Sequence, residues 1–169
     1  YLVTGDKKLL KGLEVRIQDF LKYCYDEGWS SEYGGADPGY LSATVSFLGK
    51  LHKIYQDERL YEVVKRAIEF SSFFVYPNGF YAGTTGSRQT LHFYPDGYEI
   101  FSKEIPLAAA IAEKMLKSIS ENKLVPPEIQ EDRYFLYRIP EFLLSYLDYQ
   151  ERCSPLPLLP YEKKPFETF

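Results

Sequence analysis

Glycine is spread unevenly along this chain, and that pattern limits its fold more than any other feature. Of 11 glycines, Gly28, Gly34, Gly35 and Gly39 fall within twelve positions, and Gly79, Gly83, Gly86 and Gly97 crowd a second stretch. Between and around these clusters the apolar residues recur at three- and four-residue spacing, which makes one face of a helix. A chain of 169 residues has room for one well-buried core. The expected architecture is therefore all-α, with helices interrupted by two elaborate loops.

The first helix is expected from about Lys8 to Cys24, with Leu10, Leu13, Ile17, Phe20, Leu21 and Cys24 on one face. Asp37-Pro38 reads as the start of the second. Aspartate accepts from free amides at a helix start, and proline suits the first helical position. Leu41, Val45, Leu48, Leu51 and Tyr55 make its stripe. The short break Gln56-Asp57-Glu58 leads into a third helix, to about Phe74, so these two must lie antiparallel. Pro77-Asn78-Gly79 is a turn signal. The segments around Tyr81 and Leu91–Tyr94 suggest a small β-hairpin within 79–95. A fourth helix is expected over about Ile100–Ile119, with Pro106 at its true start or kinking it. A fifth follows Pro126-Pro127, is interrupted at Pro140, and resumes to Tyr149. No repeat stands out by eye. Residues 1–153 are expected to form a helical domain, and the proline-rich 154–169 a linker or strap.

Composition excludes several functions. The net charge is −4 and no basic stripe is visible, so nucleic acid is not the expected partner. No apolar run approaches the roughly 20 residues that cross a bilayer. Two cysteines and two histidines argue against a disulfide framework or an all-protein transition-metal site, and no cofactor is expected. The nucleotide, dinucleotide, serine-hydrolase and zinc-protease signatures are absent. Aromatic residues make up 17% of the chain, with 16 Tyr and 12 Phe. Tyrosine's polar tip suits half-wet surfaces such as sugar clefts.

The loops hold the chemistry. The first, Tyr25 to Tyr40, joins carboxylates to rings: Trp29, Glu32, Tyr33, Asp37 and Tyr40 are candidate substrate-binding residues, with Glu99 beyond the second loop. Rings stack on sugar faces and carboxylates accept from hydroxyls. Asp37 is equally a helix cap. In the second loop, Arg88 offers a planar fork for a carboxylate, His92 titrates near neutrality, and Tyr94 could pass a proton. Together these three could neutralise an acid and move a proton beside it, which makes them the catalytic candidates. The alternative is that Arg88 braces the first loop and His92 is structural, as His52 is expected to be.

Glu27-Gly28-Trp29, Glu32-Tyr33-Gly34-Gly35, Asp37-Pro38-Gly39-Tyr40, Gly86-Ser87-Arg88-Gln89-Thr90 and Phe93-Tyr94-Pro95 resemble the helical domain of heparinase II/III-like proteins. The tail Leu159-Pro160-Tyr161-Glu162 is similar to that family's passage toward a following β-sandwich. The resemblance implies an α/α toroid, here partial because the helices are too few to close a ring, and a β-sandwich domain in the same full-length protein. It implies action on acidic polysaccharides by β-elimination. Three functions remain open at this point: a uronate lyase or C5-epimerase, a glycoside hydrolase using paired carboxylates, and a non-catalytic glycan-binding or supporting module.

Overall fold

The computed structural model describes residues 3–81, 85–86, 92–124, 132–152 and 154–163, with backbone only for 133–135. Among these residues the chain is all-helical: α1 (Lys8–Leu21), α2 (Pro38–His52), α3 (Glu58–Ser72), α4 (Asp96–Ile100), α5 (Pro106–Ser120) and α6 (Asp132–Asp148), followed by a 3-10 turn at Pro160–Glu162. Extended pairing is limited to three isolated bridges among the described residues.

Local chemistry sets the boundaries. Asp37 caps α2, its carboxylate accepting from the Tyr40 amide at 3.1 Å, and Pro38 takes the first helical position. Asp57 does the same for α3, accepting from Arg59 and Leu60. Pro106 starts α5, and the residues before it form the separate short α4 instead of extending the helix back to Ile100. α6 differs from expectation, since it runs unbroken through Pro140. Pro140 and Leu136, four residues earlier, both lie on the exposed side, where a carbonyl deprived of its helical donor can bond water.

α1 stops at Leu21, short of Cys24, because the chain turns out to pair Cys24 with Ser30. The Tyr25 amide bonds the Trp29 carbonyl at 2.9 Å and the Gly28 amide bonds Tyr25 at 3.0 Å. The same turn recurs after α3: Val75 pairs with Tyr81, the Tyr76 amide bonds Phe80 at 2.9 Å, and the Gly79 amide bonds Tyr76 at 3.0 Å. The displacement is a constant 51 residues (24 to 75, 30 to 81). Tyr25-Asp26-Glu27-Gly28-Trp29 and Tyr76-Pro77-Asn78-Gly79-Phe80 share only a tyrosine, a glycine and a closing aromatic ring. Both glycines are left-handed, at φ 102° and 90°, a conformation that side chains resist. A repeat invisible by eye in the sequence is thus plain in the backbone.

The repeat organises the packing. Along one layer α2 packs on α4 and α4 on α6; along the other α3 packs on α5; α2 meets α3 and α4 meets α5 across the layers. α1 is tied to the start of α3, where Arg59 donates to both oxygens of Glu14 at 2.9 Å. Between the layers lies one core, centred on Val45, Val64, Ile68, Tyr81, Phe93, Tyr98, Phe101, Ile111 and Met115. Tyr81, Phe93 and Tyr98 are fully buried and touch in series, Tyr81 edge-on to Phe93 and Phe93 tilted against Tyr98, with centroids 5.1 and 4.8 Å apart. The α2–α4 contact is so close that a Cβ on Gly97 would sit 2.5 Å from the Val45 carbonyl. The tail also reaches this core, through the buried Leu159. Of the hairpin expected within 79–95, Tyr81 pairs with Val75; 82–84 and 87–91 lie outside the described residues.

Candidate functional site

The two glycine-rich loops meet at the start of α2. A Cβ on Gly86 would stand 2.7 Å from Asp37 Oδ1, so the second loop's backbone lies against the carboxylate that caps the helix. Asp37 is accordingly buried, and its negative charge adds to burial in holding the Tyr81 phenol protonated. A few residues on, the chain returns along α2, and the Tyr94 amide donates to Ser42 Oγ at 3.2 Å.

Tyr94 and His92 are both half-buried, and the group that joins them is Arg138 of α6. Its guanidinium stacks over the Tyr94 ring at 4.5 Å and over Phe142 at 5.5 Å, while one terminal nitrogen donates to the Phe93 carbonyl at 2.6 Å. Arg138 is 1% exposed. Its Nε and the other terminal nitrogen have no hydrogen-bond partner among the described residues. Burying a guanidinium with donors unused is costly, and burial pulls its pKa down. The same burial, with Arg138's charge beside it, lowers the His92 pKa. Both effects favour the neutral imidazole.

Behind Arg138 runs a second polar group. Glu141, one turn along α6, accepts from Ser46 Oγ at 2.6 Å and from Lys50 Nζ, which also donates to Ser46 Oγ at 2.7 Å. Lys50 stands 3.5 Å from Asp96 Oδ2 at the start of α4. Lys53 holds both oxygens of Asp148 at 2.6 Å. Asp96 is fully buried, and burial pushes its pKa up to about 6, against the pull of Lys50 and with the help of Asp148 and Glu141. This network ties α2, α4 and α6 together.

The other expected residues are spread more widely. Trp29 stacks on Tyr25 at 3.9 Å and donates to Glu27 at 2.8 Å, within the turn after α1. Glu32 pairs with Gly35 across a two-residue turn. Its central residues, Tyr33 and Gly34, are both left-handed, at φ 51° and 85°. The Tyr33 ring, 73% exposed, stands 5.8 Å from Tyr40. A tyrosine held in that conformation stores strain. Glu99 is buried in an ion pair with Arg152 at 2.6 Å, beside Glu113. His52 lies between Tyr61 and Phe101. Arg88 lies outside the described residues.

The structure brings the expected His92 and Tyr94 next to Arg138, and near them lie Lys50, Asp96 and Glu141, none of which the sequence reading singled out. A signal existed: Arg138 and Glu141 stand three apart in a helix otherwise rich in leucine and aromatic residues, where charges should face outward. Among the described residues no cluster of His, Cys, Asp and Glu could hold a metal ion, and no helix is long and apolar enough to cross a membrane. Comparison with protein-family models, curated proteins and solved structures returns no match.

Proposed function

We propose that this chain is one arc of an α/α toroid, similar to heparinase II/III-like proteins, and that it acts on uronate-containing polysaccharide by removing the proton next to the carboxylate. The observation that carries this reading is the buried Arg138, two of whose donor nitrogens have no hydrogen-bond partner among the described residues, packed on Tyr94 beside His92, whose pKa burial and Arg138 lower. A guanidinium neutralises a uronate carboxylate and so acidifies its C5 hydrogen. His92 takes that proton. In a lyase the C5 electrons form the C4–C5 double bond, the bond to the O4 leaving group breaks, and Tyr94 gives O4 a proton. In an epimerase a proton returns to the opposite face of C5 and no bond to oxygen breaks. Arg88, Trp29, Glu32, Tyr33, Asp37 and Tyr40 remain candidates for contacting the sugar chain, and Tyr33 is the most accessible ring among them. Glu99, paired with Arg152, has the weakest support.

The test is ultraviolet absorbance of the unsaturated uronate on incubation with acidic polysaccharides, alongside proton exchange at C5. Tyr94→Phe should slow the lyase reaction by about 10²- to 10⁴-fold while the fold persists. Because the His92 pKa is depressed, activity should rise with pH below neutrality and level off under the usual histidine value. Release of reducing ends without the double bond would favour a hydrolase. Binding without turnover would favour a glycan-binding module, to which the exposed Tyr33 and Tyr25 rings would be suited.

A further inference from the structure

Helix α6 is inside out. Arg138 and Glu141 are buried and Asp148 is paired to Lys53: Arg138 meets Phe93 and Tyr94, Glu141 meets Ser46 and Lys50 of α2, and Asp148 meets the end of α2. Leu136, Tyr137, Leu143, Tyr146 and Leu147, by contrast, are between 61% and 81% exposed. With Leu116 of α5, half of it in solvent, they make the open end of the helix array. The opposite end, made by α1 and α2, is apolar too. Val3, Leu9 and Ile54 are 97%, 49% and 64% exposed around a groove of about 550 Å³ that Leu10, Leu13, Leu51 and Tyr55 also line. Helix repeats that end in solvent carry polar outer faces, and patches this large mark contact surfaces.

We propose that the two ends dock on each other between copies of this chain, head to tail, with the α5–α6 end of one receiving the α1–α2 end of the next. The internal repeat supplies the argument. Each helix pair already packs on the next in this sense, α2 on α4 and α4 on α6 in one layer and α3 on α5 in the other. A second copy continues that step with the same kinds of surface. At about 200 Å² for a fully exposed large side chain, the eight residues with the most solvent contact present roughly 1,100 Å² in all. That is more than most crystal contacts bury and somewhat short of the smallest standard interfaces. No ionised side chain among those described from Leu136 to Leu147 lies on the outer face, so docking there buries no unpaired charge. Because the two surfaces differ, the contact is heterologous and builds a ring or an open filament.

The experiment is sedimentation of the full chain over about 1 to 100 µM, with two variants blocked at one end each: Leu143→Glu with Leu147→Glu, and Leu9→Glu with Ile54→Glu. All four positions are solvent-facing or half so, and circular dichroism should report unchanged helix. The wild type should form species beyond a dimer as concentration rises. Each variant alone should be monomeric, and an equimolar mixture should give a dimer and nothing larger, since one variant keeps each intact end. A wild type that stays monomeric at 100 µM would overturn the proposal and leave the faces to other helices. So would assembly that only the α6 variant abolishes, which would mean a symmetric α6 contact, or a mixture that stays monomeric.

Discussion

The turns after α1 and α3 share one backbone and lead different lives. The first is at the surface: Tyr23 and Tyr25 are exposed, Cys24 and Ser30 half-buried. The second lies in the core, where Val75 and Tyr81 occupy the places of Cys24 and Ser30 and are fully buried. A glycine and two backbone hydrogen bonds fix the shape of the turn, but its place in the array decides what its side chains must be. The first turn belongs to the end pair, with one neighbour. The second is enclosed by the end of α5 and by Phe93, whose ring meets Tyr81.

Substitutions can test how far the equivalence extends. Tyr81→Ala should cost about 4 kcal/mol in urea denaturation, as for other buried rings, whereas Ser30→Ala at the matching position should cost about 0.5 kcal/mol or less. Near-equal losses would mean that the first turn is more enclosed than its exposure suggests. For the glycines the order reverses. A Cβ on Gly28 would meet the Arg66 carbonyl at 2.2 Å, while one on Gly79 would meet the side chains of Ser118 and Lys123 at 3.0 and 3.1 Å. Backbone cannot give way as side chains can, so Gly28→Ala should cost about 3 kcal/mol and Gly79→Ala about 1 to 2.

The segments that follow the two turns each bring a buried aspartate to a helix start, and these are held by different partners. Asp96, with Lys50, Glu141 and Asp148 around it, titrates near 6 when folded and near 4 when unfolded. The folded state thus binds the proton more tightly. Stability should rise as pH falls from 7 toward 4, by up to roughly 3 kcal/mol, and Asp96→Asn should abolish that part of the slope. Asp37 instead accepts a backbone amide. Asp37→Ala should cost about 1 kcal/mol. Smallest of all, Asp26→Ala removes an exposed pair with Arg66 and should change stability by less than about 0.5 kcal/mol.

The helices were legible in the sequence because burial on one side imposes a period on the residues themselves: α2 starts at the expected aspartate, and α3 starts within the expected polar break. Pro140 misled because proline is judged by what it does to an isolated helix, and here the weakened turn faces outward. The repeat escaped because a turn needs little more than its glycine, and the other positions are free to follow their surroundings. Arg138 escaped for a related reason. A buried charge is paired across the fold, with its partners at Phe93 and Tyr94 45 and 44 residues away (138 to 93, 138 to 94), and no local pattern encodes that distance. Asp37 was readable as a cap from Pro38 next to it, but its contact with Gly86 was not.

Gly97 sets a limit on how this chain can change over time. Its α-carbon rests against the peptide between Val45 and Ser46, so any side chain would pry α4 off α2 and unseat both the Tyr81–Phe93–Tyr98 series and the Lys50–Asp96 pair. Surface positions can drift to unrecognisable sequences while this one stays fixed, because no compensating exchange nearby can shrink a backbone. A diverged relative whose loops and outer faces no longer align should therefore still carry glycine here, preceded by a short helix start and followed by the tyrosine of the core. Those few letters would trace its ancestry better than the far more numerous aromatic residues around them.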